Sequence, residues 1–186
     1  GLGVSTLSGQ DGGFMLNGMV ASSLTILKSE KDGYADTYIY GCAESEDMEK
    51  EEDDSDIEIF MASQEMLEDI LDAANVAPQA GTGHAAIDTM TAGVEFRLYD
   101  DTGTRVDQLK IFYFSEEGNL DPLLEATEPD GTCLILNLQP GYYYAAGYKD
   151  GFEFPLAWLP VFAGGITMID LESNTPVAGI FKVSPW

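Results

Sequence analysis

Glu116, Glu117, Asn119 and Asp121 crowd one short polar loop. Their side-chain oxygens are of the kind Ca²⁺ collects, roughly six to eight at a time. Asp100 and Asp101 crowd a second turn in the same way. The EF-hand spacing with its required glycine is missing, however, and acids are common in turns that hold no metal. Aromatic rings offer a different chemistry. Along Tyr142-Tyr143-Tyr144 neighbouring rings must point to opposite faces of a strand, so Tyr143 is expected on the other side from Tyr142 and Tyr144. One set would enter a core and the other would lie on an outer face. There, exposed rings could stack on sugars or anchor a protein partner, which makes Tyr143, Tyr148 and Trp158 the candidate ligand-binding residues. The plain alternative is that these rings are half-buried core and cross-strand pairs.

Residues for catalysis are scarcer. The one histidine, His84, is expected at a surface or sheet edge, because no second histidine exists to share a metal or a proton relay. No Gly-x-Ser-x-Gly elbow supports a Ser-His-Asp site, and Gly164-Gly165 belongs to neither phosphate-binding glycine pattern. Paired carboxylates carry little information in a chain with 33 acidic residues. Cys42 and Cys133 lie outside any Cys-x-x-Cys spacing. In an oxidising compartment they could form a disulfide; otherwise each serves as a small buried hydrophobe. The expectation is a protein that is not an enzyme and has no obligate cofactor, with Ca²⁺ as the one ion to test.

Thirty-three acids against 8 bases give a formal charge of −25, which makes nucleic acid and anionic membrane surfaces poor partners. Hydrophobic residues make up 45% of the chain, enough for a packed core, and no run is long and apolar enough for a membrane helix. The chain opens on Gly1 rather than Met, as expected when a preceding segment has been removed.

The elements that must position these side chains read as mostly β. Phe14 and Leu16, then Leu24 and Ile26, fall on alternating positions. From Glu44 to Glu58 come ten acids and one base, Lys50, a run expected to be an exposed acidic loop, centred on 44–56. Ile57, Ile59 and Met61 suggest a short strand. Ser63 then caps an amphipathic helix near 63–75 whose apolar face is Met66, Leu67, Ile70, Leu71 and Ala74. Pro78 to Gly83 reads as a linker. Beyond it, strands are expected at Val94–Leu98, Leu109–Tyr113, 132–138, 142–148, 157–162 and 165–171. The division expected is a β module over 1–62, helix and linker over 63–82, a sandwich over 83–172 and a tail over 173–186.

One phrase occurs twice. Asp11-Gly12-Gly13-Phe14-Met15-Leu16-Asn17-Gly18 leads to Lys31-Asp32-Gly33-Tyr34, and Asp130-Gly131-Thr132-Cys133-Leu134-Ile135-Leu136-Asn137 leads to Lys149-Asp150-Gly151-Phe152. Each copy is expected to form a hairpin with its Asp-Gly turn at a matching end. The second copy follows Ala92-Gly93-Val94-Glu95-Phe96-Arg97-Leu98-Tyr99-Asp100-Asp101-Thr102-Gly103 and contains Pro140-Gly141-Tyr142-Tyr143. Together these stretches resemble the carboxypeptidase regulatory-like domain, with one copy over about 83–171 and a partial second over about 11–40. The resemblance departs from the family's pattern at Cys133, where an aromatic is common, and in the inserted stretch Phe112 to Leu124.

That resemblance implies a transthyretin-like antiparallel Greek-key β-sandwich without catalytic residues of its own, an accessory module of secreted or cell-envelope proteins. Two functions follow as expectations. One is a non-catalytic module for structural, adhesion or assembly roles. The other is a module binding carbohydrate or another cell-surface ligand, with Ca²⁺ assisting.

Overall fold

The computed structural model describes residues 3–14, 16, 24–42, 59–107, 109–129, 131–153 and 157–171. They form a mostly β sandwich with one helix. The strands are β1 (Leu24–Ser29), β2 (Asp36–Cys42), β3 (Gly83–Asp88), β4 (Glu95–Asp100), β5 (Ile111–Phe114), β6 (Leu120–Asp121), β7 (Cys133–Leu138), β8 (Gly141–Lys149), β9 (Phe152–Glu153), β10 (Ala157–Val161) and β11 (Gly165–Asp170), and the helix α1 spans Gln64–Ala73. The large sheet runs β1-β2-β11-β3-β7-β5-β6; the small sheet runs β10-β8-β4, with β9 added to β8. The acidic run 44–58 and the tail from 172 lie outside the described residues.

Alternation explains the layering, up to Asn137 with φ +55°, after which Leu138 turns into the inter-sheet core. On β3, β7 and β11, residues Ala85, Ile87, Cys133, Ile135 and Ile169 face the small sheet, where Phe96, Leu98, Ala145 and Leu159 meet them in one buried core. The alternate residues on the other face, Leu134, Leu136, Phe112 and Ile166, pack with Leu67, Leu71 and Ala74 of α1 in a second core. The large sheet is therefore apolar on both faces, as a middle layer must be.

The helix begins where Ser63 Oγ accepts the Met66 N–H at 3.1 Å, leaving one fewer first-turn donor unsatisfied. It ends at Ala74, followed by Asn75 with φ +52°. Burying Leu67 and Leu71, one turn apart, contributes about 2–3 kcal/mol each.

Two sequence expectations are corrected, and the segment read as a linker is found hydrogen-bonded to β7. Ile59–Met61 is irregular rather than a strand, because Ala62 O accepts the Ala35 N–H and Ser63 only bridges Tyr34. The linker 78–83 is tied down: Asn137 Oδ1 accepts from Gln79 N–H and Thr82 Oγ1, each at 3.3 Å, and Asn137 Nδ2 donates to Ala77 O at 2.9 Å. The second copy of the repeated phrase is not a hairpin. Its strands β7 and β8 belong to different sheets, and the chain crosses between them at Gln139-Pro140, where Tyr143 Oη donates to Gln139 O at 2.9 Å. In the first copy, Met15 and residues 17–23 lie outside the described residues, while β1 and β2 pair antiparallel around the Asp32-Gly33 turn.

One topological feature departs from a purely antiparallel design. β11 enters between β2 and β3 and runs parallel to both, so β2 joins the large sheet through a strand from the other end of the chain. Ile26 shares a face with Tyr40 but stays 40% exposed because β1 ends the large sheet, whereas Leu27, facing the other way, is buried. The open edge of β10 is blunted by Pro160, which lacks an N–H and whose carbonyl accepts a hydrogen bond from Thr167 Oγ1 at 2.5 Å.

Candidate functional site

The flank of the sandwich beside β4 is where its chemistry concentrates. β4 is an edge strand, and its outward backbone groups are satisfied without another strand. Phe96 N–H donates to Tyr113 Oη at 3.0 Å, Val94 N–H to Thr127 Oγ1 at 2.9 Å, and Val106 N–H to Leu98 O at 2.9 Å. The chain after β4 is folded back by Asp100, whose Oδ1 accepts the Thr102 and Thr104 N–H groups at 2.9 Å each. These side-chain and loop contacts replace a strand, so the gap between β4 and β5 stays open as a cleft.

This cleft has a volume of about 730 Å³. Val106, Leu109 and Leu124 line it and are packed against the inter-sheet core. Arg97, Arg105 and Lys110 line the same cleft. A smaller neighbouring cleft of about 440 Å³ lies by Tyr148 and Lys149, and Arg97, Glu95 and Glu125 line both.

Arg97 is held mainly by stacking. Its guanidinium carbon sits 3.9 Å from the centre of the Tyr148 ring, and Nη2 reaches Glu95 Oε1 at 3.5 Å, while Nε is buried without a hydrogen-bond partner. The Tyr148 hydroxyl meets the Tyr99 hydroxyl at 2.9 Å, which keeps the ring in place under the cation. Arg105 Nε contacts Asp107 Oδ1 at 2.8 Å. Lys110 Nζ lies 4.8 Å from the centre of the Phe112 ring and pairs with no carboxylate of a described residue.

The candidate aromatic residues do not share one surface. Tyr143 points away from the face that carries Tyr148 and Trp158, since Trp158 is in register with Tyr144, and it packs against the inter-sheet core. Burial, with Asp100 and Asp101 nearby, pushes its hydroxyl pKa up. Tyr148 has one face covered by Arg97. Trp158 is enclosed between Tyr142, stacked at 5.4 Å and 17°, and the edge of Tyr40 at 5.3 Å and 77°. Of this row only Tyr142 is largely exposed, at 56%.

The acidic loop residues are also dispersed. Glu116, Glu117 and Asn119 are exposed in the turn joining β5 to β6, and Asp121 Oδ1 accepts the Leu123 N–H at 2.9 Å. Among the described residues no group of three or more His, Cys, Asp and Glu side chains gathers as a metal-binding set.

His84 is a correction. It lies on β3, flanked by β11 and β7, is only 7% exposed, and its Nδ1 accepts the Asn137 N–H at 3.4 Å. Burial holds its pKa below the ordinary value. The edge position expected from sequence fails because β11 pairs along β3. Cys133 is a free thiol with no exposed surface, and burial pushes its pKa well up. Tyr113, which caps the Phe96 N–H, is pushed up to about 12 chiefly by burial.

The sequence reading passed over the basic residues of the flank, although the signal was present. Arg97, Arg105, Lys110 and Lys149 are four of only eight basic residues, and they fall in the segment that builds the two clefts.

No protein-family model matches this chain, and a search of the curated proteins finds no match.

Proposed function

We propose that this chain is a non-catalytic β-sandwich module of a secreted or cell-envelope protein, serving a structural, adhesion or assembly role. The observation that supports this reading is that the groups best suited to chemistry are absorbed by the fold. His84 Nδ1 is an acceptor for a backbone N–H, the Tyr113 hydroxyl caps a strand edge, and the Cys133 thiol is sealed in the inter-sheet core. Groups committed in this way stabilise a scaffold and are not free to meet a substrate. The resemblance to the carboxypeptidase regulatory-like domain supports the same reading, since that family supplies accessory modules. Among the described residues no helix is long and apolar enough to cross a membrane.

A carbohydrate-binding surface is the second reading, supported by the exposed Tyr142 ring stacked on Trp158. Thermal melts of the chain with EDTA, Ca²⁺ and a panel of polysaccharides separate the two, because a ligand that binds only the folded state raises the melting temperature by mass action. Unchanged melts accord with the scaffold reading. A polysaccharide-dependent rise that Tyr142→Ala abolishes would replace it with the second.

A further inference from the structure

We propose that the segment Val4–Ser8 of one copy of this chain adds as an extra strand to the edge of β1 in a second copy. The inference names a partner for the assembly role proposed above and rests on that reading. Three observations carry it.

The first is the state of the segment. Residues 3–14 are exposed throughout, Leu7 at 92%. Among the described residues their hydrogen bonds are confined to one turn, where Gly9 N–H donates to Gly13 O at 2.8 Å, Gly12 N–H to Gly9 O at 3.1 Å and Gly13 N–H to Asp11 Oδ1 at 3.1 Å. The backbone of Val4–Ser8 thus has no partner among the described residues of its own copy.

The second is composition. Charged residues make up 22% of the chain, yet from Gly1 to Leu27 the one charged side chain is Asp11. An exposed stretch with apolar side chains and no charge is matched to an interface, whose buried centre is depleted in charge. Val4-Ser5-Thr6-Leu7-Ser8 has neither glycine nor proline, and its β-branched Val4 and Thr6 favour an extended strand.

The third is the receiving edge. Of the four sheet edges, β6 has two residues, β10 contains Pro160, and β4 is capped by Tyr113 Oη and Thr127 Oγ1 beside it. β1 has six residues without proline, and among the described strands it pairs with β2 alone. Its one charge, Lys28, is held by Glu30 and Asp36 of its own copy. Ile26 and Leu27 give β1 an apolar side chain on each face, and Val4 and Leu7, an odd number of residues apart, fall on opposite faces of an added strand. Main-chain pairing supplies affinity in such additions and the alternate side chains supply the fit.

The test is sedimentation of the full chain, of Val4→Ser/Leu7→Ser and of Ile26→Lys, with thermal melts to show that each is folded. Val4 and Leu7 are exposed, so their replacement is expected to leave the fold intact. The expected result is that the wild type associates as its concentration rises, and more tightly with added salt, because two chains of charge −25 repel each other. Each variant alone should associate at least tenfold more weakly. An equimolar mixture of the two should recover a complex with one copy of each, since one still donates the segment and the other still offers an intact β1. Leu123→Ser, at an exposed apolar residue beside β6, should associate like the wild type. A wild type that stays monomeric would overturn this inference alone, since the melts with polysaccharides decide the scaffold reading. Association that Val4→Ser/Leu7→Ser leaves intact would also overturn it, whatever Ile26→Lys does, and so would failure of the two folded variants to associate when mixed.

Discussion

The two copies of the repeated phrase end in different places. In the first, Lys31-Asp32-Gly33-Tyr34 closes a hairpin within one sheet, with Tyr34 N–H donating to Lys31 O at 3.0 Å. In the second, Lys149-Asp150-Gly151-Phe152 closes a tight turn between β8 and β9, while the strands upstream separate into two sheets. The Asp-Gly pairs differ as well. Gly12 has φ +85° and open space where a Cβ would stand, whereas Gly131 has φ +76° and is pressed against the backbone of Met90. The same letters thus specify chain reversal in both copies. How tightly each reversal is gripped depends on what packs over it.

Substitution should expose that difference most sharply at Gly131. An alanine Cβ there would lie 2.4 Å from Met90 N, so the backbone must shift, and the left-handed φ adds its own cost. Gly131→Ala is expected to destabilise by about 3 kcal/mol or more in urea melts. A loss below 1 kcal/mol would mean the two Asp-Gly turns are energetically alike.

Next in size is Thr89→Val. Thr89 is buried, and its Oγ1 donates to Thr91 O at 3.1 Å and lies 3.4 Å from Gly131 O, fastening the second copy's turn. Thr127 Oγ1 still donates to Thr91 O at 2.6 Å, so the cost falls on the Thr91 N–H, which loses its acceptor, and on the lost Gly131 O contact, roughly 2 kcal/mol by the same melts.

His84 tests the connection between β3 and the end of β7 through pH. Its folded-state pKa lies below the unfolded value near 6.5, so the unfolded chain takes up the proton first as the solution is acidified. Its contribution is intact above pH 6.5 and is lost as pH falls from there toward the folded pKa, with a slope of at most about 1.4 kcal/mol per pH unit. Comparing the stability of the wild type and His84→Gln between pH 7.5 and 5.5, roughly the window in which histidine titrates, should isolate this slope. A profile unchanged by the substitution would remove His84 as its source.

The smallest effects are expected where the copies agree. Gly33 and Gly151 have φ +80° and +82°, and nothing lies within 4 Å of an added Cβ at either. Gly33→Ala and Gly151→Ala should therefore cost about 1 kcal/mol each, the conformational penalty alone. A large disparity between them would show that one turn depends on contacts beyond its own backbone.

Much of the fold could be read in advance because its signals are local. Ser63 and the apolar face at Leu67 and Leu71 announced α1, and the alternation at Val94–Leu98 announced β4. The candidate site was much less legible. Arg97 meets Tyr148 across two strands, and the cleft walls come from β4, from 105–107 and 109–111 and from 122–125, separations that no period records. Tyr143, Tyr148 and Trp158 looked like one set because they share a type. Register placed Tyr143 on one face and the other two on the opposite face.

Periodicity, capping and turn chemistry depend on neighbours within a few positions, so the sequence by itself determined that this chain is β-rich, where α1 begins, and where the Asp-Gly reversals at 32–33 and 150–151 fall. Strand order depends on which distant apolar faces bury each other. Only tertiary structure could decide that β11 enters between β2 and β3, that His84 is therefore buried, and that Arg97, Arg105 and Lys110 line one open flank.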